Sequence, residues 1–423
     1  NIGKKSPGVD IFLSTYQLLS YRPEDFTRFL QSHKVLMILD ESHYIKNGRK
    51  LSPTSWAKVV RDIAPFATKR MILSGTPCPN ALDDLWTQFD FLYPNQNIIG
   101  TFDLFSAYTK AHGQLGTYNN TIKNLYTRIS KDHLDLPKPE FIEYDIPMDP
   151  LQTKIYNAIE AKVIEELLKE SRSERAKMAG YRGDRGGKIV RLLQAASNPV
   201  LLTKNDRQFD LTNTEILINA DISELIEKYS KQCQIPTKLM KACIKARDLV
   251  ASGEKVIIWT SFLHNIDMIE EQLLRDNVNQ NQVLKITGAV PKDDEEDANY
   301  NREKIIRAFK EDPKYKILIA TPQSCSESVS LHINKFGETV CKNAIYFDRT
   351  FNAAHYMQSK DRIHRIGMKS DTKVTYHIFR AAYAPEKVGD KPVVCHIDSW
   401  TDNRLKRKEN TMLSSLGDEI TEF

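Results

Sequence analysis

Short apolar runs punctuate the chain, and most of them end abruptly in acidic or hydroxyl-bearing residues. Residues 35–39 are five apolar residues in a row, which fits a buried parallel strand, and Asp40 and Glu41 follow at its C-terminal end. Residues 9–13 read as an earlier strand that opens into Ser14, Thr15 and Tyr16. Residues 70–73 read as a later one that breaks into Ser74, Gly75, Thr76 and Pro77. Between them Trp56–Ile63 has helical spacing. Further on, strands are predicted at 255–260, 283–286, 316–320, 344–347 and 374–379. Helices are predicted at 237–251, 263–275 and 301–310. Strand and helix alternating in this way predict an α/β protein with parallel sheets. From Leu82 to Gln234 the text is helical, charged and aromatic. Leu85, Phe89 and Leu92 lie on one stripe and Tyr156, Ile159 and Val163 on another, both read as packing faces.

Composition changes this picture little. The 423 residues suffice for two or three domains, and 41% hydrophobic with 27% charged residues is ordinary globular usage. A net charge of +5 permits a polyanionic partner without requiring one. The six cysteines form no CxxC pair and have no histidine at zinc-ligand spacing, so they read as reduced thiols of a cytosolic or nuclear protein. No apolar run approaches the roughly 20 residues of a membrane span. The chain starts with Asn, and NIGKKSPGVD lacks a signal-peptide core, so the sequence reads as a fragment of something longer.

Candidate chemistry gathers at the strand ends, where open α/β sheets hold their ligands. In nucleotide hydrolysis the first of two such carboxylates holds Mg²⁺ through water while the second orients or deprotonates the attacking water. The structural alternative for Asp40 and Glu41 is a helix cap or a solvated turn. Ser14 is read either as a phosphate-binding hydroxyl or as the cap of a helix over 16–20. Gly75 is expected to let the backbone turn tightly and Pro77 to stop any ladder, leaving Ser74 and Thr76 beside the acidic pair. Arg362 and Arg365 stand three apart, hence on one helical face, as a phosphate clamp or arginine finger. Residues 172–191 carry seven basic and two acidic residues and four glycines, and read as a mobile basic loop, solvated or touching a nucleic-acid backbone. The GGK at 186–188 is not a P-loop, because Arg182 stands where its first glycine belongs and Ile189 where its hydroxyl belongs. The acidic run 293–297 is a solvated loop, and 404–408 begins a solvated basic tail.

DESH at 40–43, SGTP at 74–77, WTSF at 259–262 and QSKDRIHRIG at 358–367, in that order, resemble the Swi/Snf-type DNA translocases of the superfamily-two helicase-like ATPases. STYQLL at 14–19, LYTRISKDHLDLPKP at 125–139, LLQAASNPVLL at 192–202 and FDRTFNAAHYMQS at 347–359 extend the likeness over nearly the whole chain. The resemblance implies two RecA-like lobes with ATP in the cleft between them and double-stranded DNA bound through its backbone. Residues 1–140 would be the remnant of lobe 1, 141–235 a helical insertion, 236–400 lobe 2 and 401–423 the tail. By position, Asp40 would hold Mg²⁺ and Glu41 would activate water. Arg362 and Arg365 would reach the γ-phosphate with Gln358 nearby, and Ser74, Gly75 and Thr76 would couple nucleotide state to DNA grip. Ser14, Thr15, Thr260, Ser261, Thr321 and Ser330 would lie near the DNA backbone.

Two departures qualify the likeness. The loop 324–331 contains no glycine, so Ser326, Ser328 and Ser330 hydroxyls are expected to replace close backbone contacts. This variant resembles prokaryotic or viral members more than chromatin remodellers, implying a cytoplasmic protein, or a nuclear one if the source is eukaryotic. No GxxxxGK[ST] exists either, and 39 residues before Asp40 are too few for that loop and its flanking elements, so lobe 1 is expected to be truncated. The leading expectation is DNA-stimulated ATP hydrolysis driving translocation on duplex DNA. The alternatives are a non-catalytic fragment that binds DNA or a partner, and a strand-separating helicase. A metal hydrolase built on His43 lacks a second histidine at ligand spacing.

Overall fold

The computed structural model describes residues 10–46, 52, 55–129, 131–134, 136–172, 183–204, 209, 211, 214, 217–232, 234–288, 301–325, 329–387 and 389–415. The chain divides into two compact units, residues 1–130 with 405–423, and residues 131–404. The acidic run 293–297, the hydroxyls of Ser326 and Ser328 and the basic stretch 173–182 lie outside the described residues.

In the first unit β1 (Leu36–Leu39) pairs in parallel with β2 (Lys69–Ile72), in the register Leu36↔Lys69 to Leu39↔Ile72. Leu19, Phe26, Leu30, Leu39, Val60, Ile63 and Phe91 form the core, brought by helices Tyr16–Tyr21, Pro23–Ser32, Trp56–Ile63 and Asp84–Leu92. The apolar run at 35–39 is not buried on both faces as expected, for Leu36 and Ile38 remain about half exposed while Leu39 is covered. Residues 10–13 form no strand, and Ile11, Phe12 and Leu13 are exposed. Apolar content alone does not make a strand, which also needs a partner for its backbone groups.

The second unit is built on a sheet of order β3 (Glu140–Pro147), β8 (Thr375–Tyr383), β7 (Asn343–Tyr346), β4 (Val256–Trp259), β6 (Ile317–Ala320), β5 (Val283–Ile286), all neighbours parallel, with β9 (Val393–Val394) antiparallel to β8. The central strands β4, β6 and β7 are buried along their whole length, as continuous apolar runs require. β5 lies at one edge and β3 at the other. β3 falls within the stretch read as helical. Its charged residues suit a sheet edge, where Glu143 and Asp145 bind Arg380 of β8 at 2.7 and 2.6 Å. The helices of this unit include Pro150–Arg172, Gly183–Ser197, Ala220–Lys231, Thr237–Ala251, Leu263–Arg275, Arg302–Glu311 and Ala353–Lys360.

Two basic stretches expected to be solvated are partly structural. Lys188 and Arg191 are buried in helix Gly183–Ser197, where Arg191 donates to Thr214 Oγ1 at 3.0 Å and to the Leu202 carbonyl at 3.1 Å. The tail at 404–408 belongs to helix His396–Ser415, where Leu405 and Lys408 are buried and Lys408 Nζ donates to Asn80 Oδ1 at 3.2 Å.

Candidate nucleotide and nucleic-acid sites

In the first unit Glu41 and the SGTP hydroxyls lie around one imidazole. Glu41 ends the strand with φ 48° and ψ 49°, a left-handed backbone that non-glycine residues rarely adopt and that clusters at functional sites. This turn carries the chain into Ser42–Ile45 and brings buried His43 back under the carboxylate. His43 Nδ1 lies 3.1 Å from Glu41 Oε2 and 3.4 Å from both Ser74 Oγ and Thr76 Oγ1. Despite this proximity the buried Glu41 Oε2 accepts no hydrogen bond among the described residues, and Nδ1 is within hydrogen-bond reach of the Ser74 and Thr76 hydroxyls instead. Asp40 is exposed, and its Oδ1 accepts the Glu41 amide at 2.9 Å.

A second bridge lies beneath this one. The Ser42 hydroxyl donates to Gln88 Oε1 at 2.7 Å, and Gln88 Nε2 donates to the Pro77 carbonyl at 2.6 Å. The fully buried Gln88 therefore ties the DESH turn to the SGTP loop, as does the Ser42 amide, which donates to the Leu73 carbonyl at 2.9 Å. Nothing in the helical pattern marked Gln88. Its only signal is an amide on the inward face of helix Asp84–Leu92, whose other buried positions include Leu85 and Phe89. Burial pushes the neighbouring Asp84 carboxyl up to about 6, while its Oδ2 accepts the Asn80 and Ala81 amides. Gly75 does not take the left-handed backbone, and a Cβ there would meet nothing. The strained residue of this pair of loops is Glu41.

Thr15, not Ser14, caps helix Tyr16–Tyr21, accepting the Leu18 amide at 3.1 Å, while Ser14 is exposed. The Tyr16 hydroxyl donates to the Asp40 carbonyl at 2.8 Å, and its ring stacks on Trp56 at 5.6 Å. Burial, with Asp40 and Glu41 nearby, raises the Tyr16 pKa and keeps the hydroxyl a donor.

In the second unit helix Ala353–Lys360, which carries buried Gln358, stops before the arginines. Arg362 and Arg365 are thus not on a helical face but on the following turns, and they converge on one carbonyl. Nη1 of Arg362 and Nη1 of Arg365 lie 2.8 and 3.4 Å from Val329 O. The same loop donates the Leu331 amide to the Arg362 carbonyl at 2.9 Å. His332 Nε2 donates to the Ile366 carbonyl at 2.9 Å, which leaves Nδ1 to accept from Ser330 Oγ at 2.9 Å. The glycine-free loop is therefore wired to the arginines.

Thr260 and Thr321 turn inward. Thr260 is fully buried and donates to Asp348 Oδ2 at 2.8 Å. That carboxylate also accepts from the Ser261 amide at 2.6 Å, Asn265 at 3.0 Å and Ser197 at 2.9 Å. Thr321 donates to Ser324 Oγ at 2.9 Å. Asp348 and Asn265 were not anticipated, because an Asp after a strand and an Asn in a helix carry no distinctive spacing.

The family model of the SNF2-related domain matches residues 2–198, and that of the helicase conserved C-terminal domain matches residues 236–367. The chain belongs to the Snf2-type family of helicase-like ATPases, whose domains bind DNA and hydrolyse ATP. It is similar to the human TATA-binding protein-associated factor 172, at 24% identity over 90% of this chain and 21% of that protein. It is also similar to TATA-binding protein-associated factor MOT1 of Saccharomyces cerevisiae, at 25% identity over 83% of this chain and 19% of that protein. The chain thus spans about a fifth of the length of these relatives. Among solved structures, the C-terminal part of the Fun30 ATPase domain matches 67% of this chain and all of that one, at 17% identity and TM-score 0.40. The relatives named are from human and yeast, so they do not support the prokaryotic or viral source read from the loop. Among the described residues no helix is long and apolar enough to cross a membrane.

Proposed function

We propose that this chain is the engine of a DNA-stimulated ATP hydrolase that tracks along double-stranded DNA. The supporting observation is the His43 imidazole, 3.1 Å from Glu41 and 3.4 Å from Ser74 and Thr76, which joins a candidate catalytic carboxylate to a candidate coupling loop. In this reading Glu41 orients the attacking water, with the His43 imidazole beside it. Arg362 and Arg365 supply positive charge to the γ-phosphate with Gln358 beside them. Asp40 would hold Mg²⁺ through water, neutralising phosphate charge. Exposed Ser14 and half-buried Ser330 would face the DNA backbone, while Thr260, Ser261 and Thr321 would hold the loops that meet it. Targeting to particular DNA or protein partners would come from other parts of a longer protein.

Phosphate release from ATP by the full-length protein, with and without duplex DNA, tests this reading against its Glu41→Gln variant. We expect DNA to stimulate release, and the variant to lose about 10²-fold or more while still binding ATP. Equal rates would remove Glu41 from the chemistry, and indifference to DNA would remove the nucleic acid. Triplex displacement without duplex unwinding separates tracking from strand separation.

A further inference from the structure

The loop 361–366 has no regular structure of its own beyond turns, yet it carries the two arginines on which the proposed chemistry depends. One side is held by 329–332, as described above. The other side is held by the first residues of the second unit, distant in sequence by well over two hundred positions. Lys131 Nζ is hydrogen-bonded to the Asp361 carboxylate and lies 3.4 Å from His364 Nδ1. His364 Nε2 lies 2.8 Å from the Pro137 carbonyl. A carbonyl only accepts, so Nε2 carries the imidazole proton and Nδ1 turns its lone pair to the ammonium of Lys131. Burial, with Lys131 nearby, lowers the His364 pKa and supports this neutral form.

The two contacts differ in weight. The Lys131 and Asp361 side chains are 43% and 46% exposed, and an ion pair in that setting contributes little. His364 is only 4% exposed, so its part-buried bond to the Pro137 carbonyl is better shielded from water than the ion pair. We propose that residues 131–134 and 136–137 act as a strap that positions the arginine loop through Lys131 and the Pro137 carbonyl, with His364 as the main positioning residue and Lys131 as its support. This rests on the reading of Arg362 and Arg365 as phosphate-facing groups. His364 itself touches neither arginine's charged end in the bonds described. It would act by fixing the backbone between them.

The test compares His364→Leu, which removes the donor, with His364→Gln, whose amide restores a donor to Pro137, in the full-length protein. In His364→Leu we expect kcat for ATP hydrolysis to fall about 10- to 100-fold, with KM for ATP and duplex affinity within about twofold, because only the placement of the arginines changes. His364→Gln should recover most of the loss. Hydrogen exchange at the Arg362, Ile363 and Leu331 amides should quicken in the Leu variant and not in the Gln variant. Unchanged exchange, or faster exchange with unaltered kcat, overturns the positioning role, as does equal damage by Leu and Gln. A wild-type protein that hydrolyses no ATP overturns the reading of the arginines instead. The exchange comparison then still decides whether the strap holds the loop.

Discussion

Besides a bond to the Asp84 carbonyl one turn back, the Gln88 amide makes two hydrogen bonds that no local pattern announces, and its environment sets what its loss would do. Both oxygen and nitrogen of the amide are committed, to Ser42 and Pro77, in a site with no exposure. Replacing it with leucine, close to it in volume, keeps the packing but leaves a buried hydroxyl and a carbonyl without that partner. The expected cost is about 1–3 kcal/mol, read as a lower urea midpoint with unchanged slope. A stability equal to wild type would mean that water replaces the amide. The same residue-scale logic explains Glu41. Its left-handed backbone is held by the Asp40 side chain, which accepts its amide, and by the Ser42 amide bonded to the Leu73 carbonyl, so strain at this position is countered by specific bonds.

Among the elements, the C-terminal ends of β4 and β7 are joined to helices Gly183–Ser197 and Leu263–Arg275 through Asp348. A buried carboxylate accepting from two hydroxyls, an amide side chain and a backbone N–H is stable because every donor is aimed at it. Asp348→Ala should therefore destabilise the protein by roughly 3 kcal/mol, from four donors losing one acceptor. Asp348→Asn should cost less, since one oxygen still accepts. Chemical denaturation of both variants checks the order, and an alanine variant as stable as the asparagine one would contradict it. Element boundaries also show why β3 escaped the reading of the sequence. Its alternating charges look helical or loop-like until Arg380 is placed beside them by the pairing with β8.

For the molecule as a whole, pH exposes a cost stored in the sheet of the second unit. His377, buried on β8 with Nδ1 3.1 Å from the Tyr144 hydroxyl, has its pKa pushed down to about 4 by burial and then by Lys245. The unfolded chain takes up this proton near pH 6.5 and the folded one only near pH 4. Stability from the neutral ring is thus fully present above the unfolded pKa and is lost as pH falls toward the folded one. Between pH 7.5 and 5 the loss should be roughly 2 kcal/mol, and His377→Phe should remove that part of the slope. Urea midpoints at the two pH values decide it. An equal slope in both proteins would assign the acid sensitivity elsewhere.

Sequence alone determined the α/β class, most strands and helices of the second unit, the family and the chemical types at the candidate sites. These depend on local periodicity and on short motifs whose residues are neighbours in the chain. Tertiary structure alone decided which of those residues meet. It put His43 between Glu41 and the SGTP hydroxyls, moved Arg362 and Arg365 off the helix and onto the Val329 carbonyl, and turned Thr260 inward to Asp348. It also converted Lys188, Arg191 and Lys408 from solvated charges into buried ones. The physical reason is that a hydrogen bond or a buried charge depends on where a second, distant residue stands. A hydrophobic period needs only the residue's own position on its element.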